Sequence, residues 1–354
     1  DLIVEPAIEY KSDIHSFLIL NAEYDEIIEI PYILRDNDQN GNVFNEKIKN
    51  YGYKIFHKQN FQENDIFQIH ESSIDRRIGW LMPISSIISK SHDFADNPHY
   101  CRYAFIAYQL LISYEISDEE LYTKEFDTLI NEKFIEDDAV IFIYDYTLTK
   151  DVGDFKVENY YASFYMYGYY LKSGYLNPYC LSSPQNGKIK IKRTSDIIVN
   201  KDYLDKYFNQ LCFEENPFVK FHLLYQIIEL LIEDILIYSL EYTIYKFKNK
   251  KIYTRSLREQ ISKVEAEKDR IILLSNWCNV ASDKYSDLHN LCNTFLQNKG
   301  RDPIDFPQSL YAFRNFIVHD FRYMTEDKNI VSDVNYLFEQ YILYLLLGYK
   351  HMDI

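Results

Sequence analysis

The chain has 354 residues, which is long enough for two ordinary domains that each bury a core. Hydrophobic residues make up 47% of it and charged residues 26%, a balance that excludes an intrinsically disordered protein. The net charge of −16 excludes a general nucleic-acid coat protein, which needs an excess of Lys and Arg to displace counterions.

Residues that report on cellular location favour the cytoplasm. The opening segment Asp1-Leu2-Ile3-Val4-Glu5 has neither the basic start nor the apolar run of a secretion signal. The most apolar predicted helix, residues 221–240, carries carboxylates that are costly in the middle of a bilayer. The five cysteines form no CxxC pair, as expected of reduced structural thiols. We therefore expect a cytoplasmic protein without a membrane-spanning segment.

Residues 1–212 are predicted to form a mainly-β mixed domain. Runs of β-favouring residues predict strands at residues 14–21, 26–34, 65–69, 139–146, 158–171 and 187–199. The polar cluster at residues 37–42 is typical of a turn. Apolar side chains at helical spacing predict a helix at residues 118–134, on the surface of the sheet.

Two features of this region have both a structural and a functional interpretation. Lys188, Lys190 and Lys192 alternate with apolar residues, which puts three cations on one strand face. They either protect an exposed strand or contact RNA phosphate. The aromatic run at residues 160–170 either packs in a core or stacks on bases.

A third cluster combines metal-capable side chains: His92, Asp96, His99 and Cys101. Their spacing matches no standard zinc pattern, and Asp96 opens a segment typical of a turn. The cluster therefore favours a loop with ordinary polar residues, and we expect no metal site.

Residues 213–354 are predicted to form an all-α helical bundle. A short connecting helix is predicted at residues 201–212, and Asn216-Pro217 is a helix start signal. Apolar residues then recur at spacings of three and four, which predicts a long amphipathic helix that ends near Tyr245. Further helices are predicted at residues 255–274, 283–297, after Pro307, and at residues 331–347. The expected fold class is α+β, with the domain boundary near residue 213.

The charge of the second domain is uneven. From Thr243 to Arg322 the sequence has 14 Lys and Arg against nine Asp and Glu, so this stretch is basic in an acidic chain. Local sign matters more than net charge for binding a polyanion. These charges either form a solvated helical surface or attract nucleic acid.

The segment Arg314-Asn315-Phe316-Ile317-Val318-His319 is the candidate catalytic motif. RNA carries its own nucleophile, the 2′-hydroxyl, so cleavage needs proton transfer and stabilisation of charge on phosphorus. His319 suits proton transfer because histidine titrates nearest to neutral pH. Arg314 stays charged and offers a planar fork to phosphate oxygens. Asn315 lies four residues before His319, close enough on a helix to steer the ring or a phosphate.

Other charged residues are candidates for supporting roles. Arg322, one turn beyond His319, and Arg301, in the Gly300-Arg301-Asp302-Pro303 break before the motif helix, are candidate substrate-binding cations. Glu229 and Glu233 on the long helix either orient Arg314 or His319 across the bundle or remain surface charges.

Arg314 and His319 lie about 140° apart around a helix, so the two side chains of one helix do not face the same cleft directly.

An Arg-x4-His motif with Asn after the Arg, late in a helical domain with a long first helix, resembles the HEPN superfamily of prokaryotic defence and toxin proteins. In that superfamily the motif is written Arg-x4-6-His. Residues 218–229 (FVKFHLLYQIIE) also resemble the first helix of such domains. The resemblance covers residues 213–354 only and leaves residues 1–212 unexplained.

The resemblance implies a metal-independent endoribonuclease without a cofactor, whose catalytic residues are Arg314, Asn315 and His319 and whose product ends in a 2′,3′-cyclic phosphate. It implies a homodimer in which two motifs face each other across one groove. It also implies an effector of bacterial antiphage defence or of a toxin system, with the N-terminal domain as sensor or regulator and a regulatory or antitoxin protein as partner. The alternative is a non-catalytic HEPN-type module that dimerises and holds RNA, a nucleotide or a partner protein.

Overall fold

The computed structural model describes residues 8–11, 16–21, 26–31, 49–87, 91–95, 97–115, 138–194, 201–265, 267–319 and 325–350. The chain divides into two compact units. The first comprises the residues up to Tyr160 together with Tyr167–Lys192, and the second comprises Tyr161–Met166 with the residues from Arg193 onward. A mixed sheet forms in the N-terminal half and helices dominate the C-terminal half, so the fold class is α+β.

The described strands of the first unit form two sheets. A three-stranded antiparallel sheet has the order β1-β2-β3, and a five-stranded mixed sheet has the order β4-β7-β6-β5-β8, in which only the β5–β8 pair is parallel. The strands are β1 Ile8–Lys11, β2 Ser16–Asn21, β3 Glu26–Pro31, β4 Tyr51–His57, β5 Phe67–Glu71, β6 Arg76–Pro83, β7 Ala139–Asp145 and β8 Lys188–Ile191.

One face of the five-stranded sheet packs on helix α1 (Pro98–Glu115). Alternate residues of the two central strands supply this face, with Trp80 from β6 opposite Ile143 from β7. The Trp80 and Tyr100 rings meet edge to face with centroids 5.9 Å apart. Burying a side chain of this size contributes about 2 kcal/mol or more. Gly79 lets β6 approach β7 closely, because a Cβ there would collide with the carbonyl oxygen of Ile143.

Most predicted strands of the first region are confirmed, since β2, β3, β7 and β8 lie inside predicted runs and β5 overlaps one, whereas β1, β4 and β6 were not predicted. The strand predicted at residues 158–171 is wrong. Val157–Tyr160 forms a 3-10 helix and Tyr161–Met166 forms helix α2, with all six α2 side chains buried. A short helix buried on every side has no exposed stripe, so its pattern matches that of a buried strand. The turn predicted at residues 37–42 and the helix predicted at 118–134 lie outside the described residues.

The second unit confirms the predicted helical region. Its helices after α2 are α3 Lys201–Asn209, α4 Pro217–Lys248, α5 Thr254–Glu265, α6 Glu267–Cys278, α7 Ser286–Asn298, α8 Gln308–His319 and α9 Lys328–Gly348. The single helix predicted at residues 255–274 corresponds to α5 and α6, on either side of residue 266. Helices α2 and α3 belong to this unit although they precede residue 213, and the boundary near residue 213 stays a prediction.

Helix α4 positions the motif helix. Asn216 caps α4 by accepting hydrogen bonds from the backbone N–H groups of Phe218 and Val219. Phe221, in the buried face of α4, lies 5.3 Å from the Phe313 ring of α8. Phe313 also meets Phe295 of α7 at 4.7 Å. Helix α8 is therefore fixed against α4 and α7 by its apolar side. Among the described helices, none combines the length and apolar character needed to cross a bilayer.

Candidate active site

Helix α8 separates an apolar side from a polar arc. At about 100° per residue, and with Arg314 placed at 0°, the buried Phe313 and Ile317 lie near 260° and 300°. Moving the other way from Arg314, the arc passes Val318 near 40°, Asn315 near 100°, His319 near 140° and Phe316 near 200°. The motif therefore presents Asn315 and His319 on the side that α4 and α7 leave uncovered.

Arg314 is held at one edge of this arc by three neighbours. Its Nη2 donates to Glu229 Oε1 over 3.2 Å, and its Nη1 donates to Asn315 Oδ1 over 3.3 Å. The guanidinium carbon lies 5.3 Å from the centre of the Tyr225 ring. The Arg314 side chain is 20% exposed and that of Glu229 is 34% exposed. These two bonds use two of the five N–H donors of arginine, so the fork can still bind an anion.

Glu229 is itself fixed. Its Oε2 accepts a hydrogen bond from Gln226 Nε2 over 2.6 Å, so its two oxygens face different partners. Burial and the negative charge of Glu229 raise the pKa of Tyr203 to about 12. Solvent screens an ion pair at this exposure, and the Arg314–Glu229 contact contributes about 1 kcal/mol or less to stability. Its main effect is on the direction in which the guanidinium points.

Asn315 and His319 have different environments. The side-chain oxygen of Asn315 accepts a hydrogen bond from Arg314 and so supports the guanidinium. Its expected role of steering the imidazole or a phosphate stays a prediction. His319 is the last residue of α8 and is exposed to solvent. An exposed imidazole at a helix end is accessible to a polymeric substrate.

One of the two candidate substrate-binding arginines, Arg301, lies next to the motif helix. Arg301 is exposed, and its guanidinium lies 4.6 Å from the centre of the Phe316 ring. Phe316 lies one turn before His319, so Arg301 places a cation at the other edge of the arc from Arg314. Arg322 lies outside the described residues.

Sequence reasoning missed two residues that build this site. Tyr225 lies under the guanidinium and Gln226 bonds to Glu229. Both lie three or four residues before Glu229 on α4, and that spacing was the available signal. Glu229 contacts Arg314 across the bundle, as one of its two interpretations predicted, whereas Glu233 is exposed on the next turn.

Two histidines of the metal-capable cluster have ordinary structural roles. His92 Nε2 lies 3.1 Å from the carbonyl oxygen of Ser86, and its ring meets Tyr100 at 4.9 Å. His99 lies in the first turn of α1, whereas a loop was predicted there. Within the described ranges, no three His, Cys, Asp or Glu side chains come together as metal ligands.

The lysine strand β8 lies at the edge of its sheet with Lys188 and Lys190 exposed, as the edge-strand interpretation predicted. Lys190 Nζ lies 2.7 Å from Asp75 Oδ1. In the aromatic run, Tyr160–Met166 is buried, which places these rings in a core and keeps them from stacking on bases.

Comparison of the chain with protein-family models, with curated proteins and with solved structures finds no match.

Proposed function

We propose that the protein is a metal-independent endoribonuclease whose active site is the polar arc of α8. The observation that carries the proposal is the guanidinium of Arg314, held by Glu229, Asn315 and Tyr225 on the helix that exposes His319. A cation held in place and an accessible proton-transfer group are the two components that transesterification of RNA requires.

The chemistry follows from these groups. The 2′-oxygen attacks the adjacent phosphorus and loses its proton to an imidazole, while the bond from phosphorus to the 5′-oxygen breaks and that oxygen takes up a proton. Arg314 binds the non-bridging oxygens as they gain negative charge. The products are a 2′,3′-cyclic phosphate and a free 5′-hydroxyl. No other nucleophile is required.

The proposal extends to assembly and biology. One imidazole accepts a proton and a second donates one, so two copies of His319 in a homodimer would supply both roles. The resemblance to HEPN domains supports such a dimer and an effector role in antiphage defence or in a toxin system. The N-terminal unit would then sense a trigger or bind a restraining partner.

The experiment is cleavage of end-labelled single-stranded RNA by the purified chain in excess EDTA. We expect cleavage to proceed. We expect products that accept a 3′-end label only after acid opens the cyclic phosphate to a monoester and a phosphatase then removes that monoester. Expression in a bacterial host should slow growth, and His319→Ala should remove that effect. Cleavage that stops in EDTA, or products with 5′-phosphates, would contradict the proposed chemistry.

The second candidate function is a module that binds RNA or a partner without cutting it. The ion pair between Arg314 and Glu229 favours this second function, because such a contact can join α8 to α4 without any part in catalysis. A binding module would retain RNA intact in the cleavage assay. Its effect on growth would be the same with histidine or alanine at position 319.

A further inference from the structure

The turn between α4 and α5 concentrates positive charge in an acidic chain. From Tyr242 to Arg258 the sequence has six cations and no Asp or Glu, whereas the whole chain has 38 Lys and Arg against 54 Asp and Glu. We name residues 242–258 the basic corner. Five of its six cations are exposed: Lys248, Lys250, Lys251, Arg255 and Arg258.

Aromatic rings are exposed among these cations. Tyr253 is 84% exposed and Tyr245 is 53% exposed, and Phe247 is exposed between them in sequence. Lys251 Nζ lies 5.5 Å from the centre of the Tyr245 ring. Large exposed rings are costly in water, and three in one segment exceed the scattered single cases that need no explanation.

The cations of the basic corner are only partly explained by helix stability. Lys246 and Lys248 lie in the last turn of α4, where cations complement the helix dipole. Arg255 lies in the first turn of α5, where the dipole disfavours positive charge, and Arg258 follows in the next turn. Arg255 offsets part of this through Glu259, whose Oε1 lies 3.1 Å from its Nε. Charge is therefore placed here against local stability, as happens at functional sites.

The backbone conformation of Lys250 is a second case in which a cation is placed at a cost to local stability. Its φ is +58°, the left-handed conformation in which helices usually place glycine. The Lys251 N–H bonds to the Lys246 carbonyl over 2.8 Å, and the Lys250 N–H bonds to that of Phe247 over 3.0 Å, which is the Schellman pattern. A lysine at this position adds a cation where glycine would relieve the backbone.

We propose that the basic corner binds single-stranded nucleic acid, with the lysines on phosphates and the rings of Tyr245 and Tyr253 stacked on bases. Exposed rings between cations match a single strand because bases are free to stack only when they are unpaired. Binding at the basic corner needs no cleavage and goes beyond the active site. That the strand is RNA, held as substrate, rests on the proposed function.

The test is fluorescence anisotropy of labelled oligouridine of about 20 nucleotides with the full chain carrying His319→Ala, which keeps the probe intact. In that background, Lys248→Gln with Lys250→Gln and Lys251→Gln should weaken binding about tenfold or more at low salt. It should also lower the slope of log affinity against log salt by about 2. Tyr245→Ala with Tyr253→Ala should weaken binding about thirtyfold or more and leave the slope unchanged.

The matched control removes three exposed lysines outside the basic corner: Lys150→Gln, Lys206→Gln and Lys328→Gln. It makes the same change in net charge and should bind as the background does. Equal binding by all variants, or equal weakening by the control, would overturn the proposal. Loss of binding to phosphatidylserine vesicles in the lysine variant, with oligouridine binding unchanged, would assign the basic corner to membranes and overturn it as well.

Two further comparisons separate this proposal from the proposed function. Oligodeoxyuridine differs from oligouridine only in the missing 2′-hydroxyl. If the two bind equally, the single-strand site stands without a preference for RNA. If the wild-type chain cuts no RNA but the variants of the basic corner still lose binding, the proposed function fails and the binding site stands. If cleavage proceeds and the corner variants bind normally, only the binding site fails.

Discussion

At the scale of residues, the chemistry of the arc depends on which partner each side chain has. The sequence predicted Arg314, Asn315 and His319 from their types and spacing, and it offered Glu229 as a candidate orienting partner. The structure shows Glu229 in contact with Arg314, and it adds Tyr225 under the guanidinium and Gln226 bonded to Glu229. These three lie about 85 residues earlier in the chain, and contacts over that separation depend on how α4 and α8 pack. Spacing within α8 carries no information on them, whereas spacing along α4 links Tyr225 and Gln226 to Glu229.

Glu229→Gln should lower the rate of RNA cleavage about tenfold, because the neutral amide holds the guanidinium less firmly in direction. The matched control is Glu233→Gln, one turn later on α4, where the carboxylate is exposed. Single-turnover rates with excess enzyme measure both. Unfolding by urea should change by about 1 kcal/mol or less for either variant. Equal rates for Glu229→Gln and wild type would assign the contact to structure alone.

At the scale of elements, prediction succeeded where one face of a helix or strand is polar. The exposed lysines of β8 alternate with the buried Ile189 and Ile191, and α4 has a start signal and a buried apolar stripe. It failed for α2 and did not anticipate α1, in which Tyr103–Tyr108 is buried throughout. A largely buried helix loses its periodic signal, since few positions along it have to be polar. Strand β7 is also buried along its whole length, and it was predicted from a continuous run of β-favouring residues instead.

The pair Lys220 and Glu339 joins α4 to α9 inside the bundle, with Nζ and Oε2 separated by 2.8 Å. Burial raises the pKa of Glu339 and lowers that of Lys220. Lys220→Met or Glu339→Leu alone should cost about 3 kcal/mol, and the double variant should recover most of it. Urea unfolding of the four proteins gives this cycle. Additive losses in the double variant would show that the two side chains do not act as a pair.

The Lys220→Met variant also has a predicted dependence on pH. It leaves Glu339 buried with a raised pKa, so the folded state holds the proton more tightly than the unfolded state does. Stability relative to wild type should then be least reduced at pH values below the ordinary pKa of glutamate, and it should fall as the pH rises from there toward the raised pKa of the folded state. A deficit that is constant between acid and neutral pH would contradict this assignment.

Lys250→Gly should stabilise the second unit while it weakens nucleic-acid binding. Glycine relieves the left-handed backbone at φ +58°, a gain of about 0.5–1 kcal/mol after its greater freedom in the unfolded chain is counted. Loss of one exposed cation should weaken binding of oligouridine about threefold at low salt. Thermal unfolding and anisotropy measure the two effects. A less stable variant that binds as tightly as the parent would contradict both.

At the scale of the whole molecule, charge is distributed unevenly. The net charge of −16 opposes general binding of nucleic acid, and the basic corner, with six cations and no Asp or Glu, is a local exception. The proposed active site lies beside Glu229. Glu229 and Lys248 both lie on α4, about 28 Å apart along its axis at 1.5 Å per residue. A strand that reaches both sites needs several nucleotides, so very short RNAs should be poor substrates.

The proposed homodimer should appear in sedimentation experiments as a species of twice the monomer mass. Because two copies of His319 would share the proton transfers, the specific cleavage rate should fall on dilution as the dimer dissociates. Mass and rate should follow the same concentration dependence. A monomer that keeps its full specific rate at every concentration would remove the second copy from the mechanism.

The most direct test of the central claim compares the rates at which wild type, His319→Ala and His99→Ala cut one labelled RNA in EDTA. His99 is an exposed histidine of the first unit and serves as the matched control. We expect His99→Ala to cut as wild type does and His319→Ala to cut at least about a hundredfold more slowly, with unchanged unfolding. Cleavage by His319→Ala at the wild-type rate would contradict the assignment of the active site to α8.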